Sequence, residues 1–503
     1  MEAFLHPLQG LAEFEEIKKR CGANCGILNV SGCMESQKVH LMYGLSGLFP
    51  YHLILADDER NAKEIYEDYR FYDKNVYFYP AKDLLFFQAD IHGNLLIRQR
   101  MRVIRALLEQ EEVTVVTSID GCMDFLMPLE KIRSRLLHFK SDSVIDLDQL
   151  KEELVELGYE RTGQVELPGQ FSVRGGIIDI YPLTEDNPWR IELWDDEVDS
   201  IRSFDAESQR SLENVDEITI YPAAEKMDGE DMVSFLDYFP EEKTLVFLDE
   251  LNHLAENGEG VEEEYRQSRM HREEKGEANL PEQWLCGFQE LQKKLNRRNC
   301  VAVSALSPRR SGWKINEEFD LTVKSVDSYN SSFELLVKDL LQYKSQGYRI
   351  ALLSGSRTRA ERLAKDLSEE GLNAFYSQDM DRIISPGEIM VVYGHARRGF
   401  QYPLIKFAVM TETDIFGKEQ KKRKKKKKYS GNRIQDFAEL SIGDLVVHEK
   451  HGLGIYRGIE KVEVDRVVKD YIKIEYRGGS NLYILATQLD ALQKYSGSSE
   501  NAK

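Results

Sequence analysis

Between residues 26 and 118, short apolar runs alternate with segments of helical period. Gly26–Val30, His52–Ala56, Val76–Tyr79 and Val113–Thr117 read as strands. Between them, the segment from Leu95 to Leu108 sets Ile97, Met101, Ile104 and Leu108 on one helical stripe. Strands that alternate with helices predict a parallel sheet covered on both faces. Ahead of this, Phe4, Leu8, Leu11, Phe14 and Ile17 recur at helical spacing with charges between them. That pattern is a helix and not the apolar block of a signal peptide.

The pattern changes at residues 155–222. Short alternating runs are broken by Pro168-Gly169, Gly175-Gly176, Asn187-Pro188 and Asp195-Asp196, the mark of an antiparallel meander. From Asp228 to about Asp320 it is mixed and polar, with a loop expected at Asn257–Gly260. Strand–helix alternation then returns over 333–416. Helices are expected at Phe333–Tyr343 and Thr358–Glu370, and strands at Arg349–Leu353, Asn373–Tyr376, Glu388–Tyr393 and Lys406–Thr411. This reads as a second, separate α/β domain. Residues 440–492 are strand-rich and punctuated by glycine, which predicts a small SH3- or Tudor-like barrel. The expected fold class is therefore multidomain α/β. It combines a degenerate P-loop-type parallel sheet, an antiparallel α+β insert, a second small α/β domain and the C-terminal β-barrel.

Composition narrows the function. The chain has 503 residues, enough for three or four domains at ~150 residues each. Its net charge of −20 disfavours phosphate binding by the bulk of the chain. The positive exception is Lys421–Lys428, all basic, which is expected to be a solvated linker; a nucleic-acid tail is its sharper reading. Six cysteines, with no C-x-x-C pair, suit reduced thiols rather than a disulfide framework. Cys21, Cys25, Cys33 and His40 lack the spacing of a zinc site, so no metal is expected. No apolar run reaches the ~20 residues of a membrane span, and a cytoplasmic location with no membrane partner is expected.

A P-loop belongs after the first strand, over Gly32 to Val39. Lys38 falls on the phosphate-binding position, but Gln37 replaces the second glycine and Val39 replaces the hydroxyl that would hold Mg²⁺. Valine cannot ligate a metal, and a side chain at the glycine position blocks close approach of the backbone to phosphate. Leu53–Glu59 and Leu245–Glu250 imitate the acid-ended strand of such a site, yet with no intact loop they read as sheet edges. No nucleophile–base arrangement stands out, and His448 and His451 read as turn residues. No catalytic residue and no cofactor are expected.

The most informative segments are Pro168–Pro182 and Trp189–Asp205. Strand alternation sends Ile191 and Leu193 to a core and sets Arg190, Glu192 and Trp194 on the other face; Arg174 turns away from Phe171 and Val173. Exposed Trp and Arg together have the composition of a binding hot spot. An apolar cover over that face, with solvated arginines at its edge, is the plainer alternative.

These two segments closely resemble the module shared by the excision-repair protein UvrB and the bacterial transcription-repair coupling factor family. The broken loop at Gln37 and Val39 is similar to the second family. So are Leu440–Ile459, Tyr471–Tyr476 and Asn481–Ile484, which resemble its RNA-polymerase-interacting domain, and Gly399-Phe400 and Thr411–Phe416, which resemble the end of its middle domain. Leu485 departs from the proline common there. The resemblance implies an adaptor that binds the RNA polymerase β subunit and recruits UvrA to nucleotide excision repair. It implies UvrA contact through Arg174, Arg190 and Trp194, and polymerase contact through Val462, with Val464, Lys461 and Glu463 on the same strand. In that family an ATP- and Mg-dependent DNA translocase follows, so ATP, Mg and most DNA contact are expected only of a motor beyond Lys503. A C-terminal domain is also thought to cover the UvrA patch in that family. The domains implied are 1–125 and 216–330 as two parts of a UvrB-like α/β domain, 126–215 as the UvrA-binding insert, 331–417 as the small α/β domain, 418–435 as the basic linker and 436–497 as the barrel. Two other readings stay open: a nucleotide-dependent repair helicase of the UvrB type, and a DNA-binding module built on the basic run.

Overall fold

A computed structural model describes the chain except for residues 23–24, 83–93, 225–231, 275–284, 309–311, 418–430, 434–440, 449–451, 465–466, 476–480, 486–491 and 496–503. In parts of the C-terminal strands it describes the backbone alone. The basic run Lys421–Lys428 lies outside the described residues. The chain divides into two compact units, one spanning Met1–Lys82 and Leu96–Glu419 and the other holding the C-terminal strands.

Two N-terminal helices, Glu2–Leu8 and Ala12–Cys21, stand where the sequence pattern suggested one, and the first unit then runs through β1 (Ile27–Ser31), α1 (Glu35–Ser46), β2 (Tyr51–Ala56), α2 (Glu59–Tyr72), β3 (Val76–Tyr79), α3 (Asn94–Glu109) and β4 (Val113–Ser118). These fall where strand–helix alternation put them. Helix α2 shows the local reasons. Asp58 caps it by accepting the Asn61 N–H at 2.6 Å, and Ala62, Ile65, Tyr69 and Tyr72 bury one stripe. The insert follows, with β5 (Glu160–Arg161), β6 (Gln170–Arg174), β7 (Ile177–Ile180), β8 (Trp189–Trp194), β9 (Glu197–Phe204) and β10 (Ser211–Val215). They form one sheet in the order β10-β9-β8-β7-β6-β5, antiparallel except for the short β5–β6 pair.

The chain then returns to the first sheet with β11 (Thr244–Asp249), α4 (Leu251–Glu274), β12 (Cys300–Val303) and β13 (Ile315–Asp320). The finished sheet has seven parallel-paired strands in the order β13-β1-β12-β11-β2-β4-β3. The loop expected at Asn257–Gly260 is instead the middle of α4. Gly258 is there for close packing, because a Cβ would come within 2.2 Å of the Phe288 ring. Asn257 donates its side-chain amide to the Asp57 carbonyl at 3.0 Å.

The second α/β sheet uses β14 (Lys324–Ser325), α5 (Phe333–Ser345), β15 (Arg349–Ser354), α6 (Arg357–Glu369), β16 (Asn373–Tyr376), β17 (Glu388–Tyr393), β18 (Phe400–Tyr402), β19 (Phe407–Thr411) and α7 (Glu412–Phe416). Its order is β14-β18-β19-β15-β17-β16, with β19, β15, β17 and β16 parallel. This sheet shares a core with the first: Val30, Ile54, Val116 and Phe247 belong to one buried cluster with Leu353, Val392 and Val409.

The C-terminal unit holds β20 (Gly431–Arg433), β21 (Leu445–His448), β22 (Gly452–Val464), β23 (Val467–Glu475), β24 (Asn481–Leu485) and β25 (Leu492–Tyr495). They make an antiparallel sheet ordered β20-β25-β21-β22-β23-β24. Among the described residues, no helix is long and apolar enough to cross a membrane.

Candidate functional site

The cleft where a nucleotide would sit is occupied by the protein's own groups. Only Gly32, Cys33 and Met34 join β1 to α1. Gly32 takes φ +78°, and a Cβ there would lie 2.1 Å from the Leu321 carbonyl oxygen. The N–H groups a phosphate would need are already donating. Gly32 N–H binds the Ala305 carbonyl at 3.3 Å, and Cys33 N–H binds that of Ser304 at 3.1 Å. Met34 N–H binds Gln37 Oε1 at 3.0 Å. Lys38 Nζ donates to Asp249 at 2.7 Å and to Glu250 at 2.6 Å. Burial opposes the Lys38 charge, but the two carboxylates more than offset it and hold the ammonium above its ordinary value. Asp249 also accepts from Asn61 Nδ2 at 2.7 Å. Val39 is fully buried. The residues present do not fit a triphosphate.

Gln37 has a different task. Its Nε2 donates to Tyr402 Oη at 2.9 Å, Tyr402 pairs with His40 Nδ1 at 3.1 Å, and His40 Nε2 reaches the Phe4 carbonyl at 3.0 Å. Neutral His40 completes this chain by accepting from Tyr402 and donating to Phe4. Beside it, buried Asp68 accepts Ser36 Oγ at 2.7 Å, and the Arg397 backbone N–H and Nε at 3.0 Å each. Helix α1, which would have answered to a nucleotide, is thereby fastened to the second sheet.

The insert places Arg174 and Arg190 around one carboxylate. Asp179 lies directly opposite Arg190 in the β7–β8 register and is fully buried. It accepts Arg190 Nε at 2.6 Å and Nη2 at 2.9 Å, and Arg174 Nη2 at 2.7 Å. Ile178, Ile191 and Phe171 fill the opposite face of the sheet. The Arg190 side chain is 14% exposed, much less than the Arg174 side chain at 47%. It lies over the Phe204 ring at 4.4 Å and donates to Gln209 at 3.2 Å. Its hydrogen bonds to Asp179, against the cost of burial, hold its guanidinium above the ordinary value. Trp194 is 82% exposed at the end of β8, where Asp195 at φ +60° turns the chain into β9. Arg174 and Trp194 thus offer an open guanidinium and an open indole, while Arg190 is mostly a supported wall. Glu192 is tied to Arg202, whose hydrogen bond first of all lowers the carboxyl's pKa.

Lys461, Val462, Glu463 and Val464 lie on β22, and the structure describes their backbone alone. Strand β21 covers β22 only over Gly452–Ile455, and β24 covers β23 only from Tyr471 onward. Among the described residues, 461–464 and 467–470 therefore pair only with each other, Val462 opposite Lys469. Among the described residues they form a two-stranded stretch whose outer edges have no paired strand.

Sequence reasoning passed over Asp179, Phe204 and Gln209 at the arginine face. Asp179 lies within Pro168–Pro182, and an acid on the strand next to an arginine-bearing strand was the available signal. The six cysteines are free, and all but half-buried Cys25 are buried. Among the described residues no His, Cys, Asp and Glu side chains gather as a metal site.

Residues 137–225 match the model of the UvrB interaction domain, and residues 440–496 match that of the CarD-like/TRCF RID domain. Arg174, Arg190 and Trp194 fall in the first segment, and Val462 falls in the second. The chain is 30% identical to a transcription-repair-coupling factor of Bacillus subtilis (strain 168), over 93% of this chain and 46% of the relative. It is 27% identical to one of Staphylococcus aureus (strain MRSA252), over 85% of this chain and 41% of the relative. A third, from Staphylococcus epidermidis, is 28% identical over 90% of this chain and 43% of the relative. The chain thus spans less than half the length of these curated relatives.

Proposed function

Because this chain is homologous to the transcription-repair-coupling factors along nearly all of its own length, we propose that it is the adaptor portion of a transcription-coupled repair factor in the cytoplasm. In this reading the insert binds UvrA, and the C-terminal sheet, read as an SH3- or Tudor-like barrel, binds the β subunit of RNA polymerase. The observation that carries it is the pairing of two domain models in one chain, a UvrB interaction domain at 137–225 and a CarD-like/TRCF RID domain at 440–496. Each holds a β-surface that a partner can reach: exposed Arg174 and Trp194 in the first, and in the second, among the described residues, strand edges with no paired neighbour. Open strand edges accept a partner strand through the backbone, and an exposed Trp–Arg pair supplies anchoring area.

The reading assigns no ATPase step to the Gly32–Val39 loop. Its amides and Lys38 are spent on internal partners, so ATP and Mg would belong to a motor elsewhere in the whole protein, as would most DNA contact.

The test is binding of the purified chain to UvrA and to the polymerase β subunit. Trp194→Ala and Arg174→Ala should each weaken UvrA binding at least about tenfold, the cost of truncating an interface anchor. Trp194→Ala should leave the melting temperature unchanged because the side chain is 82% exposed. Arg190→Ala should weaken UvrA binding and lower the melting temperature as well, since it removes two of the three arginine hydrogen bonds to buried Asp179. Wild-type affinity in all three variants would reject the assignment.

A further inference from the structure

The second α/β sheet has a crevice that the adaptor reading leaves without a task. From β15 the chain crosses by α6 toward β16, while from the neighbouring β17 it passes through residues 394–399 toward β18 on the other side. Connections that leave adjacent parallel strands in opposite directions open a crevice at their carboxyl ends, where α/β sheets take ligands. Here it has a volume of about 580 Å³, within the range of small-molecule sites.

Its lining is chemically mixed in a particular way. Gly355, just past β15, keeps the floor open; a Cβ there would stand 3.4 Å from Glu412 Oε2 and 3.8 Å from an Arg359 nitrogen. Glu412 Oε1 accepts Ser354 Oγ at 2.6 Å, and its Oε2 faces Arg359 Nη1 at 3.3 Å. The carboxylate is thus held in place and mostly buried, between Ser354 on one oxygen and Arg359 on the other. His395 lines the side contributed by the 394–399 segment. Phe416 lines the rim and is nearly half exposed, and just outside, exposed Tyr393 has the Arg357 guanidinium over its ring at 5.8 Å.

We propose that this crevice binds a nucleoside monophosphate. A flat base stacks on the Phe416 ring. The sugar hydroxyls donate to Glu412, an acceptor-only group while ionised. The phosphate meets Arg359, whose planar fork suits an oxyanion, and His395 lines the same crevice. Each part alone is ordinary. Their combination around one cavity matches the three chemical parts of a nucleotide: an aromatic face, an acid for a diol and a guanidinium for a phosphate. None of its lining residues belongs to the Gly32–Val39 cleft, which the protein fills itself.

The experiment is calorimetric titration of the whole chain with AMP, with adenosine and ribose 5-phosphate as the arms that separate base from phosphate. AMP should bind, and each partial ligand should bind at least tenfold more weakly. Arg359→Glu should weaken AMP at least tenfold, and Phe416→Ala several-fold; both side chains are substantially exposed, so both variants should fold. Photocrosslinked 8-azido-AMP should label the peptide that carries Phe416. No heat of binding at millimolar AMP, unchanged affinity in both variants, or label on the 32–39 peptide would each overturn the proposal.

Discussion

Lys38 keeps the position of a phosphate-binding lysine and has taken two carboxylates instead. With Asp249 at 2.7 Å and Glu250 at 2.6 Å, it neutralises an acid that burial alone would drive toward protonation. Removing one partner of such a pair strands the other. Lys38→Ala should therefore cost about 3–5 kcal/mol in urea denaturation; a loss under about 1 kcal/mol would mean that Asp249 is rehydrated or re-paired. His40 and His52 give a second residue-scale expectation. Burial, against backbone hydrogen bonds, pushes each imidazole down to about 4 from an unfolded value of 6.5. The unfolded chain then binds protons that the folded chain refuses. Stability is complete above pH 6.5 and drains as pH falls toward 4, by of order 3 kcal/mol per histidine over the full interval. Urea midpoints measured from pH 7.5 to 4.5 should fall along that window, and His40→Gln should flatten the slope. A flat wild-type profile would contradict the neutral, hydrogen-bonded His40 seen between Tyr402 and Phe4.

At the scale of elements, Gly258 separates two ways of reading the chain. As part of a loop it would tolerate alanine, and in an open helix alanine would gain about 1 kcal/mol. In the structure it is where α4 meets the Phe288 ring, with a Cβ position 2.2 Å from that ring. Gly258→Ala should therefore destabilise the first unit by about 1–3 kcal/mol, the usual cost of overpacking; a raised melting temperature would show that Phe288 yields easily. The same site explains why α4 was illegible. Two glycines and a polar sequence look like a turn until the partner that needs the space is known. Strand β13 was passed over because alternate exposure leaves Ile315 and Phe319 as its only apolar residues, and its place at the sheet edge is set by β1. By contrast β2, β4 and β15 carry dense apolar stretches at Leu53–Ala56, Val115-Val116 and Ile350–Leu353, all buried, and buried parallel strands of that kind announce themselves. The arginine face was half legible. Alternation paired Arg174 and Arg190 correctly, but nothing in the spacing revealed Asp179 beneath them or showed that Phe204 and Gln209 would cover Arg190.

At the scale of the whole molecule, the two proposed docking surfaces are built on different sheets, each with strands from one unit only. Energetic coupling between two sites needs an element with two arrangements that both sites bias. The Arg174–Asp179–Arg190 cluster is fixed by three charge-assisted hydrogen bonds at 2.6 to 2.9 Å. Residues 461–464 and 467–470 are held by their own cross-strand pairing. The two partners should then bind independently. Val462→Arg lies on a strand with an open edge, so it should abolish binding to the polymerase β subunit while the melting temperature of the C-terminal unit stays near wild type. If Val462 were a core residue, the same change would unfold that unit, because a buried unpaired charge costs several kcal/mol. Trp194→Ala should do the reverse, lowering UvrA affinity and leaving polymerase binding alone. The double variant should lose each affinity by the same factor as the corresponding single variant, within the ~0.5 kcal/mol expected of uncoupled sites. UvrA titrations of the chain, with and without saturating β subunit, measure the coupling directly. A shift greater than about fivefold, the lower end of ordinary allosteric coupling, would show that the two surfaces communicate.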